Sequence, residues 1–507
     1  MKRQLLTLIS TICIFISVKA SVSSNQGVVY LPVRSIPHQL VPGKLLYATD
    51  AHIFRQVTIG LFGVGDGFRI DQHLAKEVSW SNSGRVLRIT LGEHYMSDGS
   101  PITASDVIAS LKRCFSNESR SFVVAENSVE GLTEYIEGKA DKISGLKEID
   151  HKTIEITLKK RTPLLLDELS RAECNIIKAS KNGSLDIVKG AITSGPYKFE
   201  AIDGSDLILT KNPHYRLPMD GPDKVVFRET PDVGDFEKIK SWATMAIVSS
   251  QQKAPNGFRG YFFSDLGTIK LILNHSRKPF ADLAVRKALS QAIDYAAWAN
   301  SVSVPLDRIQ AGLIPLGMLG FTRRDASQIE KNRAEALRTF KKLGYTAKNP
   351  LRFRISYTSP SVMESEIKAW HDALRDMPVK VEFEFIGPRD IRARMQNSDF
   401  EALRVTKYPG SVEPHRLLTT YLTNSSHNLS KLRDKKCDDI IKAAVEVEEL
   451  THRYQAYQNA DRCLMELVVA IPLVSLPPST VMLKNPWRLK RSNQYLLFPY
   501  WASEWTK

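Results

Sequence analysis

Residues 85–115, RVLRITLGEHYMSDGSPITASDVIASLKRCF, constrain the fold more than any other stretch of this chain. Val86, Leu87, Arg88, Ile89, Thr90 and Leu91 alternate in the manner of a half-buried strand. Asp98-Gly99-Ser100-Pro101 then turns the chain, glycine being free to take positive φ and proline fixing the exit. Thr103 is placed to cap a helix and Asp106 to answer it, a near-match to a capping box. Val107, Ile108, Leu111 and Phe115 fall on one face of that helix. A strand, a tight turn and a capped amphipathic helix define an α/β unit, and many folds use one.

The N-terminus narrows the compartment. Lys2 and Arg3 precede an apolar run from Leu5 to Val18, and Val18-Lys19-Ala20 follows it, the layout of a secretory signal peptide cleaved after Ala20. A membrane anchor needs about 20 apolar residues, and this run is shorter. The expected product is an exported, soluble chain of 487 residues, enough for about three domains of roughly 150 residues each. The formal charge is +15, and +12 once Lys2, Arg3 and Lys19 are removed. A basic surface serves solubility, docking to acidic surfaces or steering of an acidic ligand. Export, and the lack of a basic block interleaved with aromatics, argue against nucleic acid as a partner.

Four of the five cysteines lie beyond the leader: Cys114, Cys174, Cys437 and Cys463. Outside the cytosol an even number permits disulfides. Cys437 and Cys463 fall in two helical patterns, 434–450 and 451–468, each thirteen residues from position 450. An antiparallel hairpin brings them level, so a 437–463 bridge is expected. Cys114 and Cys174 are then either a second pair or buried thiols.

Several runs beyond the opening stretch carry a resemblance. Thr193-Ser194-Gly195-Pro196-Tyr197-Lys198-Phe199 is followed by LILTKNPHYR at 207–216, and NHSRKPFADLAVRKALSQAID spans 274–294. EPHRLLTTYLTNSSHN occupies 413–428. In this order, with DGSPITASDV and SLKR at their head, they closely resemble the family 5 extracellular solute-binding proteins, the periplasmic oligopeptide-, dipeptide- and nickel-binding components of ABC importers. The resemblance covers most of the chain after the leader. It implies an α/β, two-lobed periplasmic-binding-protein fold (type II, of the large peptide-binding kind) with an additional α+β domain. The expected division is signal peptide 1–20, first lobe 21–65, additional domain 66–189, first lobe again 190–261, second lobe 262–482, and a return to the first lobe over 483–507. Local patterns agree: strands at 268–273, 351–357 and 379–386 with a helix between the last two give a β–α–β order, hence a parallel pair.

The resemblance also locates the ligand between the lobes. In the peptide binders a second-lobe carboxylate fixes the peptide's α-amino group, just ahead of an (E/D)P pair. Counting back from Glu413-Pro414, Gly410 stands at that carboxylate's position and Lys407 where an aromatic is expected. A charge-assisted hydrogen bond of about 1.5–3 kcal/mol is then lost, unless Glu413 shifts into the role. Arg404 and Lys407, on the strand feeding this loop, favour an acidic ligand instead, or are solvated strand residues. Candidate ligand-binding residues are therefore His38, Asn274, Arg404, Lys407, Tyr408, Gly410 and Glu413.

Other chemistries find little support. The 11 histidines are scattered without metal-ligand spacing, His415 and His427 being the nearest pair in this region. The glycines at 60, 63, 65 and 67 lack a following Gly-Lys-Ser/Thr, so they read as a flexible turn and not as a phosphate loop. No G-x-S-x-G elbow or HExxH occurs. The expectation is a non-enzymatic periplasmic substrate-binding protein without cofactor or metal, a monomer that captures a peptide or peptide-like solute by lobe closure. Its partners are that peptide or small-molecule ligand and ABC permease subunits in the inner membrane. The alternatives are a ligand sensor or a binder of a non-peptide, acidic solute on the same fold, with a periplasmic hydrolase a distant third.

Overall fold

The computed structural model describes residues 27–45, 48–65, 69–116, 122–249, 252–263, 266–323, 329–387, 390–409, 411, 413–425, 427–489 and 505–507. The leader and Gly410 lie outside them. Alternation and capping produce the expected opening unit: a strand over Val86–Leu91 and a helix over Ala104–Phe115. Thr103 Oγ1 accepts from the Asp106 amide, and the Thr103 amide donates to Asp106 Oδ2 at 2.9 Å. Such a cap is worth about 1 kcal/mol. The strand joins a four-stranded antiparallel sheet with Ala75–Ser81, Thr153–Thr157 and Leu146–Asp150. Leu87, Ile89, Val107, Leu111, Phe115, Ile154 and Ile156 form its core, and a disulfide links Cys114 to Cys174 beneath it.

A second core draws on distant parts of the chain. Val28–Val33 pairs in parallel with Lys224–Glu229, which continues antiparallel into Asp206–Lys211 and Tyr197–Asp203. The helix Ala48–Val57 contributes Ile53, Phe54 and Val57 to this core. Val481, Leu483 and Trp505 join them from the other end of the sequence. A three-stranded sheet of Met245–Ser249, Ser479–Lys484 and Phe258–Phe263 stands beside it.

From Phe258–Phe263 the chain passes into the strand Thr268–Leu273 and returns to Ser479–Lys484 from Ala470–Ser475. Between these two crossings lies a five-stranded sheet, in the order Val379–Phe385, Leu351–Tyr357, Ala402–Lys407, Thr268–Leu273, Ala470–Ser475. The first two pairings are parallel, as a β–α–β order requires, and the last two antiparallel. All six residues of Thr268–Leu273 are buried because both sheet faces are covered. Ile269, Leu271 and Leu273 face the helices Leu283–Ala292 and Pro360–Ala373, while Ile272 faces the helical hairpin.

That hairpin comprises Lys435–Ala444 and Leu450–Glu466. The first helix stops short of the expected residue 450. Glu446, Glu448 and Glu449 would crowd the negative end of the helix dipole, and Glu449 instead caps the second helix, accepting from the Thr451 and His452 amides. Cys437 and Cys463 face each other across the hairpin and are bonded, with Cα atoms 5.7 Å apart.

Candidate functional site

A cavity of about 260 Å³ opens between elements that are far apart in the chain. From the first side come Ala51 and Arg55 of the Ala48–Val57 helix; from the turn after the Leu165–Leu169 helix come Arg171 and Glu173. The opposite wall is Lys407, Tyr408 and Pro409 at the end of the Ala402–Lys407 strand, with Arg416, Thr419, Thr420, Ser425 and His427 behind them. A larger cavity of about 520 Å³ shares Arg55 as a lining residue and runs along Gly60, Gly63, His73, Asn175 and Tyr215. The glycine cluster thus serves close packing: a Cβ on Gly63 would lie 2.0 Å from the His73 ring.

Asp167 ties the two walls together. It accepts from Ser411 Oγ at 3.1 Å, lies 3.3 Å from His415 Nε2 and pairs with Arg416 Nη2 at 3.0 Å. Burial opposes ionisation of Asp167, but Arg416 and His415 hold its carboxyl well below the usual range. Glu173 is handled likewise: burial works against its charge, and Arg171, at 2.9 Å, brings its pKa down to about 2. Burial lowers Arg55 to about 10, and Arg416 and Arg171 add repulsion that Glu173 counters.

Lys407 has no such counter-charge. Its ammonium makes no hydrogen bond or ion pair among the described residues. Burial, and then the charge of Arg171, disfavour its protonated form. His427 beside it is pushed down to about 4, by burial first and then by Lys407 and Arg171, so it stands neutral.

The structure separates the other candidates. Arg404 and Lys407 are three residues apart on one strand, so they point to opposite sheet faces. Arg404 pairs with buried Glu366, its Nε 3.0 Å from Oε1, while Lys407 reaches the cavity with Tyr408. Asn274 is fully buried and fixes the chain locally: Nδ2 donates to the Ser398 and Phe400 carbonyls at 2.8 Å each, and Oδ1 accepts from Ser276. Glu413 faces the helical hairpin, where Arg453 and Tyr457 hold it. His38 is exposed in the loop after the first strand, and Gly410 lies outside the described residues. Asp434, Cys437 and Cys463 are the one grouping of metal-ligand types close together among the described residues. The two sulfurs are bonded to each other and Asp434 caps the helix.

Sequence reasoning missed Arg55, Arg171, Glu173 and Arg416. A signal existed for two of them: residues 163–178, PLLLDELSRAECNIIK, set charges inside an apolar run, and buried charges need partners.

Two lobes joined by two crossings, a third α+β unit and a cavity between them define a ligand-enclosing binding protein. The model for bacterial extracellular solute-binding proteins, family 5, matches residues 69–428, and the chain belongs to that family. The periplasmic murein peptide-binding protein MppA of Escherichia coli is 23% identical over 484 residues, covering 90% of this chain and 88% of that protein. YgiS of the same organism, a probable deoxycholate-binding periplasmic protein, is 23% identical over 88% of this chain and 87% of its own. The crystal structure of Haemophilus influenzae OppA in complex with RPPGFSPFR superposes with a TM-score of 0.81 at 15% identity, covering 95% and 99% of the two chains. The fold is the two-lobed type II periplasmic-binding-protein fold with an additional domain, and the family is one of binding proteins. No helix among the described residues is long and apolar enough to cross a membrane.

Proposed function

We propose that the protein is the periplasmic substrate-binding component of an ABC importer, capturing a peptide or peptide-like solute as its lobes close and presenting it to a membrane permease. The observation that carries this reading is the cavity whose opposite walls belong to different cores, bridged by Asp167. A ligand there shifts the open–closed equilibrium by its preference for the closed form, and closure is what a permease can sense. Cleavage of the leader after Ala20, a monomeric state and domain borders near residues 66, 190, 262 and 483 belong to the same reading.

Native mass spectrometry of the mature protein from its own periplasm tests the proposal. A ladder of bound masses resolving into short peptides is the expected result. A single non-peptide mass would favour a second reading, supported by the name of the YgiS relative, in which the same cleft takes a non-peptide solute.

A further inference from the structure

The cavity between the lobes has the wrong sign for an ammonium anchor. Arg55, Arg171, Lys407 and Arg416 all line it, against one lining carboxylate, Glu173. Glu173 pairs with Arg171, and Asp167 just behind the wall pairs with Arg416. Two other buried acids lie near: Glu168 accepts from the Ala125 amide, with burial raising its pKa, and Asp50 sits on the Arg55 helix with a partner of its own. The ammonium of Lys407 is left with no acceptor among the described residues, at the end of a strand whose next residue, Tyr408, also lines the cavity. Holding this half-buried ammonium beside three guanidiniums is costly unless a counter-ion joins them.

Resting on the peptide-importer reading, we propose that the cleft recognises an anionic group of its solute, a carboxylate seated between Lys407 with Arg416 on one wall and Arg55 with Arg171 on the other. The favoured solute is an acidic short peptide whose own α-amino group is blocked or held away from this cavity, with Arg55 and Arg171 on one side of its carboxylate and Lys407 and Arg416 on the other. The geometry suits the task in three ways. The cations stand on both sides of the cleft, so one carboxylate between them draws the lobes together. Guanidinium forks bind carboxylates bidentately, whereas an ammonium such as Lys407 acts as a point charge. Neutral His427, with Thr419, Thr420 and Ser425 on the same wall, offers polar neighbours without adding a like charge.

The test is calorimetric titration of the mature protein, freed of bound solute, with matched N-acetylated, C-amidated tripeptides, Ala-Glu-Ala, Ala-Gln-Ala and Ala-Lys-Ala, so that only the glutamate one carries a carboxylate. Glutarate and deoxycholate serve as non-peptide carboxylates. The acidic tripeptide is expected to bind about tenfold or more tighter than the glutamine one, the scale of a charge-assisted hydrogen bond, and to weaken as salt is added. Lys407→Met and Lys407→Gln should both abolish that ratio while melting at or above the wild-type temperature. Carboxylates that bind through Lys407 when no peptide does would uphold the anion site and defeat the peptide reading. The lysine or glutamine tripeptide binding as well as the acidic one would overturn the anion site and leave the peptide reading standing. Absence of binding by every probe would also overturn it.

Discussion

Arg453 grips Glu413 through a two-pronged ion pair, its Nε and Nη2 each donating to a different carboxylate oxygen at 2.8 Å. Tyr457 adds its hydroxyl to Oε2 at 2.8 Å. The carboxylate that lies nearest in sequence to the family's α-amino anchor is thereby committed to the hairpin that supports the loop. Arg453 is 5% exposed, so deleting its partner strands a buried charge. Glu413→Ala is expected to destabilise the protein by about 3 kcal/mol, read as a lower midpoint in urea. An unchanged midpoint together with lost ligand affinity would instead make Glu413 a ligand contact.

Asp167 plays the corresponding part between the walls of the cleft. Asp167→Asn removes the charge that Arg416 and His415 face and weakens the contact with Ser411. Leaving Arg416 buried without a carboxylate penalises the closed form by about 3 kcal/mol. The ligand-free variant should therefore show a larger radius of gyration than wild type in small-angle scattering. An identical radius would mean that Asp167 does not hold the lobes together.

Elements governed by local chemistry were legible in the sequence. The Thr103–Asp106 cap and the parallel pair of Leu351–Tyr357 with Val379–Phe385 follow from side-chain period and turn residues alone. The cleft was only partly legible. Lys407 stood out because it departs from the resemblance, but Arg55, Arg171 and Arg416 lie on three elements far apart in the chain, and no local pattern announces that they converge. Asn274 shows the opposite effect. It sits in a segment that resembles the family's cleft, yet its amide is fully used by Ser398, Phe400 and Ser276. Hydrogen-bond saturation of this kind belongs to tertiary structure.

The Cys437–Cys463 bridge closes a loop with a sequence separation of 26. On the chain-entropy view such a loop stabilises by about 3.5 kcal/mol. The double variant Cys437→Ala, Cys463→Ala should lose most of that, and dithiothreitol should lower the melting temperature of the wild type but not of the variant through this bridge. Peptide mapping without reductant should recover the two segments linked.

Lys270 offers a gain instead. It is 1% exposed, its ammonium has no hydrogen-bond partner among the described residues, and the Tyr421 ring centroid lies 6.0 Å away. Burial, reinforced by Lys407 and opposed by Asp461, pushes its pKa down to about 7. Below that pH the folded protein carries the full cost of a buried cation. Between about 7 and about 10.4 the unfolded chain holds a proton that the folded one has released, so wild-type stability from this group rises with pH. Asp461, raised to about 6 mainly by burial, titrates below this window. Lys270→Met keeps the length of the side chain and removes the charge, and should stabilise by about 2 kcal/mol at neutral pH. Calorimetry at pH 7 and pH 9 is the check: the variant's advantage should shrink at the higher pH, because only the wild type gains there. A variant that melts below wild type at both would show that the ammonium is held by a favourable contact.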